Sequence, residues 1–178
     1  MMLPSHLILA GLLLSLSGGV WAIDGTPNVE SSVAAVDRDF ASAVVVAGRT
    51  EIDAAKLALQ RSKDKDVRRF ARHMLVEHGR LQAGLAQASQ EVGMTLPEAK
   101  ADEQTMKALQ EATAATFDHH YIDTMAVKAH MTALDLFTHQ AERGQTLALR
   151  DWAAASLPTI KLHFEQGRKL AVSKNVAQ

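Results

Sequence analysis

His78, His130 and His163 stand where helical periodicity calls for oily side chains. Around His78, the residues three and four apart include Val67, Phe70, Ala71, Met74, Leu81, Leu85, Ala88 and Val92, which form one stripe of a helix. His130 falls on a second stripe with Ile122, Ala126, Ala133 and Phe137, and His163 on a third with Trp152, Ala153, Ser156, Ile160, Gly167 and Leu170. Glu51 follows Phe40, Val44 and Ala47 on a fourth. A neutral imidazole is the commonest protein ligand for zinc, copper or iron, and three imidazoles with one carboxylate complete a four-coordinate site for a single ion. The same residues can instead make a satisfied polar network, with an imidazole donating to Glu51 and accepting from Tyr121, that sets helix register and binds nothing. A pocket for some other small ligand is the third alternative.

Other chemistry is sparse. A ferritin-type di-iron centre needs Glu-x-x-His on two helices and a further Glu on each of the others, and no Glu-x-x-His occurs in the chain. Met74 lies one turn before His78, and Met125 and Met131 flank His130. Thioethers beside imidazoles favour copper, yet methionine on a helical stripe is commonly core filler. His73 with Glu77 and Asp135 with His139, each four apart, read as helix-surface pairs. His119 and His120 diverge by about 100° on a helix, so at least one faces solvent. There is no Gly-x-Ser-x-Gly, no Gly-rich phosphate loop and no cysteine nucleophile.

Four long helices must position these residues. Apolar spacing predicts helices over 33–62, 65–92, 115–143 and 145–173, with a shorter polar helix over 98–112. Gly93 and Pro97 supply a stop and restart after the second, Gly144 closes the third, and Pro158 predicts a kink in the fourth. The charged run "RSKDKDVRR" reads as a solvated turn. Two tight turns and one longer crossover give an all-α fold, a four-helix bundle of the ferritin-like kind with a short extra crossover helix between the second and third long helices. With antiparallel hairpins turning near 63 and 144, Glu51, His78, His130 and His163 lie about 12 to 19 residues from their turns, roughly 18 to 29 Å. Each long helix therefore offers one polar residue near mid-height.

Composition fits that reading. The chain has 178 residues, a net charge of -1, no cysteine and only 4% aromatics, so one domain with a core of Ala, Leu, Val and Met is expected. The charge suggests neither nucleic acid nor anionic lipid as partner. Residues 1–22, with the run "LILAGLLLSLSGGV" and small residues at Val20 and Ala22, read as a cleaved signal peptide, an uncleaved anchor being the alternative. Residues 23–32 read as a linker and 33–174 as the bundle. A periplasmic or secreted location follows, with no stable membrane span after cleavage, and no disulfide can staple the exported chain.

Three stretches, "EIDAAKLALQRSKDKDVRRFARHMLVEH", "FDHHYIDTMAVKAH" and "LPTIKLH", together resemble, in order and spacing, a family of exported bacterial proteins known as domain of unknown function 4142 (DUF4142). The resemblance spans residues 37–172. It implies an exported ferritin-like bundle in which Glu51, His78, Asp118, Tyr121, His130 and His163 fall on recurring polar positions. It brings no established activity. Two functions of different class therefore stand side by side. The first is a non-catalytic envelope or stress-related protein acting through its helix faces on a protein partner or on a second copy of itself. The second is a binder of one transition-metal ion (zinc, copper or iron) or of a small ligand, centred on Glu51, His78, His130 and His163 with Asp118 and Tyr121 in support.

Overall fold

A computed structural model describes residues 33–176, and every regular element among them is helical. The expected signal segment and linker, residues 1–32, lie outside the described residues. Helix α1 (Ala35–Arg61) turns through Ser62 into α2 (Lys65–Glu91). An extended segment leads to α3 (Glu103–Glu111), after which a third long run comprises α4 (Phe117–Tyr121), a π-helical stretch Ile122–Ala129 and α5 (His130–Arg143). Helix α6 (Leu147–Ser173) follows Gly144 after a short turn. Helix α1 packs along α2, α5 along α6, and α6 bridges the two pairs by packing on both α2 and the π stretch. Among the described residues no helix is long and apolar enough to cross a membrane.

The helix ends follow local chemistry. Asp64 caps α2 by accepting from the Asp66 and Val67 amides, which satisfies donors that lack an intrahelical partner. Gly93 takes a left-handed φ of 67°, and Met94 N–H reaches back to Ser89 O at 2.9 Å, closing α2 as glycine after a helix does. The crossover helix differs from expectation: it begins at Glu103 rather than Glu98. Asp102 accepts from Thr105 N–H and caps it there, and the Asp102 amide donates to Thr50 Oγ1 on α1 at 2.8 Å. A cap and a tertiary tether together outweigh the helix propensity of 98–101.

The run "RSKDKDVRR" is not simply solvated. Arg61 donates to the carbonyls of Leu109, Gln110 and Ala112 at the end of α3 and lies over the Phe117 ring, which places positive charge where a helix C-terminus is electronegative. Lys174 pairs with both Asp64 and Asp66, so the end of the fold clasps its first turn. At the other end, the fully buried Asp37 accepts from Gln140, Gln145 and Thr146. Burial pushes its carboxyl up, but the bonds from Thr146, Gln140 and Gln145 outweigh that and hold it below the usual range.

The apolar core falls into two clusters. One gathers Phe70, Met74, Phe117, Tyr121, Ile122 and Met125 around the α1–α2 turn and α3. The other gathers Phe40, Val44, Leu85, Phe137, Leu149 and Ile160 nearer the α5–α6 turn. Each long helix passes from one cluster to the other, and Glu51, His78, His130 and His163 occupy the passage.

Two helices meet at backbone contact beside that passage. A β-carbon built on Gly167 would lie 1.8 Å from Ala126 O, so only glycine allows α6 to rest on the π stretch. Gly167→Ala should force the two apart and destabilise the protein by roughly 1 to 3 kcal/mol or more, measured by urea unfolding. Asp37→Ala should cost a similar amount, since it removes a buried acceptor from several donors. It should act at a distance from the histidines and leave their chemistry intact.

Candidate functional site

The passage between the clusters holds three imidazoles packed as a triangle. Ring centroids of His78, His130 and His163 are each 5.4 Å from the other two. His130 and His163 are fully buried, and His78 is 6% exposed. One nitrogen from each lies within 4.8 Å of the others, and the closest pair, His78 Nε2 and His130 Nε2, is 3.3 Å apart.

The π stretch fixes the His130 tautomer. The His130 amide donates to Val127 O, while the carbonyl of Met125, five residues back, faces His130 Nδ1 at 2.8 Å. A carbonyl oxygen only accepts, so Nδ1 carries the proton and Nε2 presents its lone pair to the triad. His78 Nε2–H is then the donor across the 3.3 Å contact. His163 has no such satisfaction: both of its nitrogens are buried without a hydrogen-bond partner.

All three rings are held neutral. Burial pushes His130 down to about 4 despite the bond to Met125 O. Burial, reinforced by the neighbouring His130 and His73, pushes His163 down to about 3, and burial with the other three imidazoles holds His78 well below 6.5. Crowded cations in an apolar passage would repel one another and lose hydration.

Glu51 sits beside the triad rather than within it. Its Oε1 is 3.7 Å from His130 Nδ1, the nitrogen already engaged by Met125 O, and Oε2 is buried without a partner. Burial raises its carboxyl well above the usual range. Tyr121, fully buried with an unpartnered hydroxyl, is pushed up by burial and by the Glu51 charge. Asp118 is half-buried with Oδ1 unpartnered. His119 and His120 are both exposed, as is Met131, while Met74 and Met125 pack in the apolar cluster near the α1–α2 turn.

His73 is the residue that sequence reasoning missed. It does not pair with Glu77, which Arg80 engages instead. Its ring packs edge-on against His163 with centroids 5.3 Å apart, and its Nε2 is buried without a partner. His73 lies five residues before His78, so the two occupy different sides of α2, and only the placement of α6 against α2 brings His73 to His163. No periodicity signals such a contact.

The model of a family described as a domain of unknown function, DUF4142, matches residues 25–170. No curated protein and no solved structure gives a significant match to the chain.

The neutral histidines make stability depend on pH in a definite direction. An imidazole with a folded pKa of about 3 or 4 and an unfolded value near 6.5 binds a proton more readily in the unfolded state, so its contribution is full above about 6.5 and is lost as pH falls towards 4. Glu51, raised in the fold, acts oppositely: its contribution is present at low pH and is lost as pH rises through its raised value. In metal-free protein the imidazoles should withdraw on the order of a few kcal/mol between pH 7 and 4.5, read from urea midpoints. His163→Leu should flatten that dependence, and an unchanged slope would contradict the assignment.

Proposed function

The chain belongs to the DUF4142 family, and on that premise we propose that it is an exported four-helix bundle of the ferritin-like kind that binds one transition-metal ion through His78, His130 and His163. One observation carries the reading: three buried neutral imidazoles converge, with His78 Nε2 and His130 Nε2 3.3 Å apart. Two nitrogens bound to one tetrahedral zinc at about 2.0 to 2.1 Å are themselves separated by roughly 3.3 to 3.4 Å. The pair already has that separation, and a His163 nitrogen lies within 4.8 Å of both.

A purely structural network accounts for less. It satisfies His78 and His130 but leaves both His163 nitrogens buried and unpartnered, each at a cost of about 1 to 3 kcal/mol. A cation engages one of them. The Nδ1–H donation from His130 to Met125 O has the form by which ligating histidines are oriented from behind, through the ring nitrogen that does not bind metal. Zinc is the first candidate and copper or iron follow, since imidazole suits all three. Glu51 supports the site from beside His130 Nδ1, 3.7 Å away. An interaction protein with no site remains the alternative of different class. The convergence of histidines favours the metal reading over it.

The test uses untagged, chelator-stripped protein titrated with zinc. Calorimetry should give one equivalent bound. At free zinc about a hundredfold above Kd, the folded state should gain about 2.7 kcal/mol, a rise of several degrees in Tm. His78→Leu and His163→Leu should abolish the rise, and the exposed His139→Ala should retain it. Equal shifts in all of these proteins, or none in the wild type, would remove the triad as a metal site.

A further inference from the structure

A cavity of about 690 Å³ opens between α1 and the third long run and ends on Glu51, His78 and His130. Its size falls in the range typical of small-molecule sites. Val44, Ala47, Ala133, Leu136, Phe137 and Ile160 furnish its apolar walls, and the exposed Ser42 and Thr132 stand at its mouth. The space exists because the side chains there are small. Ala43 and Ala47 on α1 and Ala129 and Ala133 on the third long run line it, and α1 touches α5 only slightly. Periodicity assigns Ala47 and Ala133 to the core. In the fold Ala47 is exposed and Ala133 half-buried, and both line the cavity.

We propose that the cavity and the histidine triad form one binding site whose ligand is a small apolar monocarboxylate, with its hydrocarbon body between α1 and α5 and its carboxylate on the metal. This rests on the metal reading above. Three imidazoles leave one position open on a four-coordinate ion, and His78 and His130 line the cavity directly. Charge selects the head group. Neutral histidines bring no charge to a divalent cation, and Glu51, with Oε1 3.7 Å from His130 Nδ1, supplies at most one negative charge. The remaining positive charge in an apolar surrounding is costly unless an anion meets it. A monoanionic head balances the count, and apolar walls of this extent select a hydrocarbon body over a polar one.

The experiment uses the uncharged fluorophore N-phenyl-1-naphthylamine as probe, on the full chain in zinc-loaded and chelator-stripped forms. Octanoate and 1-octanol compete for the site. The probe should bind both forms with enhanced fluorescence. Octanoate should displace it from the zinc form at least about tenfold more effectively than octanol, a difference of about 1.4 kcal/mol, and this preference should vanish after chelation and in His78→Leu. Ala133→Trp should block the probe while zinc still raises Tm; Ala47→Phe, at an exposed position, makes the same test should the tryptophan variant fail to fold. Probe binding that survives both fillings would overturn the cavity assignment. Zinc binding without octanoate preference would overturn the carboxylate contact and leave the metal site standing. Failure of zinc to bind would overturn the metal reading and the carboxylate contact together, and octanol outcompeting octanoate would then mark a neutral apolar pocket.

Discussion

At Gly167 the backbone of α6 rests on the backbone of the π-helical stretch, with no room for a side chain between them and Ala126 O. His163 lies one turn before that contact on α6, and His130 lies one turn after Ala126 on the third long run. A backbone approach one turn away from each therefore fixes how close the two helices bring these imidazoles. Interhelical distance is ordinarily governed by the side chains at the crossing, and a glycine there gives the shortest one. The π stretch acts at the same place. Within it the Met125 carbonyl lies 2.8 Å from His130 Nδ1 and orients that ring, while the His130 amide donates to Val127 O. π-Helical turns inside α-helices are frequent at functional sites.

The polar layer has a cost that the surrounding packing must offset. It divides an otherwise continuous core into two clusters, and it leaves buried nitrogens on His73 and His163, a carboxylate oxygen on Glu51 and the Tyr121 hydroxyl without partners. Fully apolar side chains at the same positions would avoid these penalties. The ends of the molecule supply compensation of another kind. Asp37 gathers the α5–α6 turn, and Lys174 and Arg61 gather the α1–α2 turn and α3. The polar middle, with its unpartnered atoms, is thus held between two hydrogen-bonded ends.

Alanine content links the layer to the cavity. Small residues let α6 approach closely where Gly167 meets Ala126, and leave open space where Ala47 and Ala133 line the cavity. The outcome depends on which neighbour is present. Helix α6 packs against both hairpins, whereas α1 and α5 are scarcely in contact, so the same residue type closes one interface and opens the other.

Sequence by itself determined the helices, their main breaks and the shared height of four polar residues. These are local properties: the 3.6-residue repeat marks each stripe, Asp64 and Gly93 mark ends through their own backbone and side-chain chemistry, and short turns convert distance along the chain into height. The resemblance carried by three short stretches also identified the family. Tertiary structure alone decided the rest. A repeat that reads three or four residues apart carries no mark of the π stretch, which changes hydrogen-bond pairing while keeping Ile122, Ala126 and His130 buried. His73 joins His163 across helices, Glu51 falls behind His130 rather than among the three nitrogens, and Asp37 meets Thr146 from 109 residues away. Each of these depends on how helices rotate and how closely they approach, which side-chain volumes at distant crossings decide together and no single stretch of chain records.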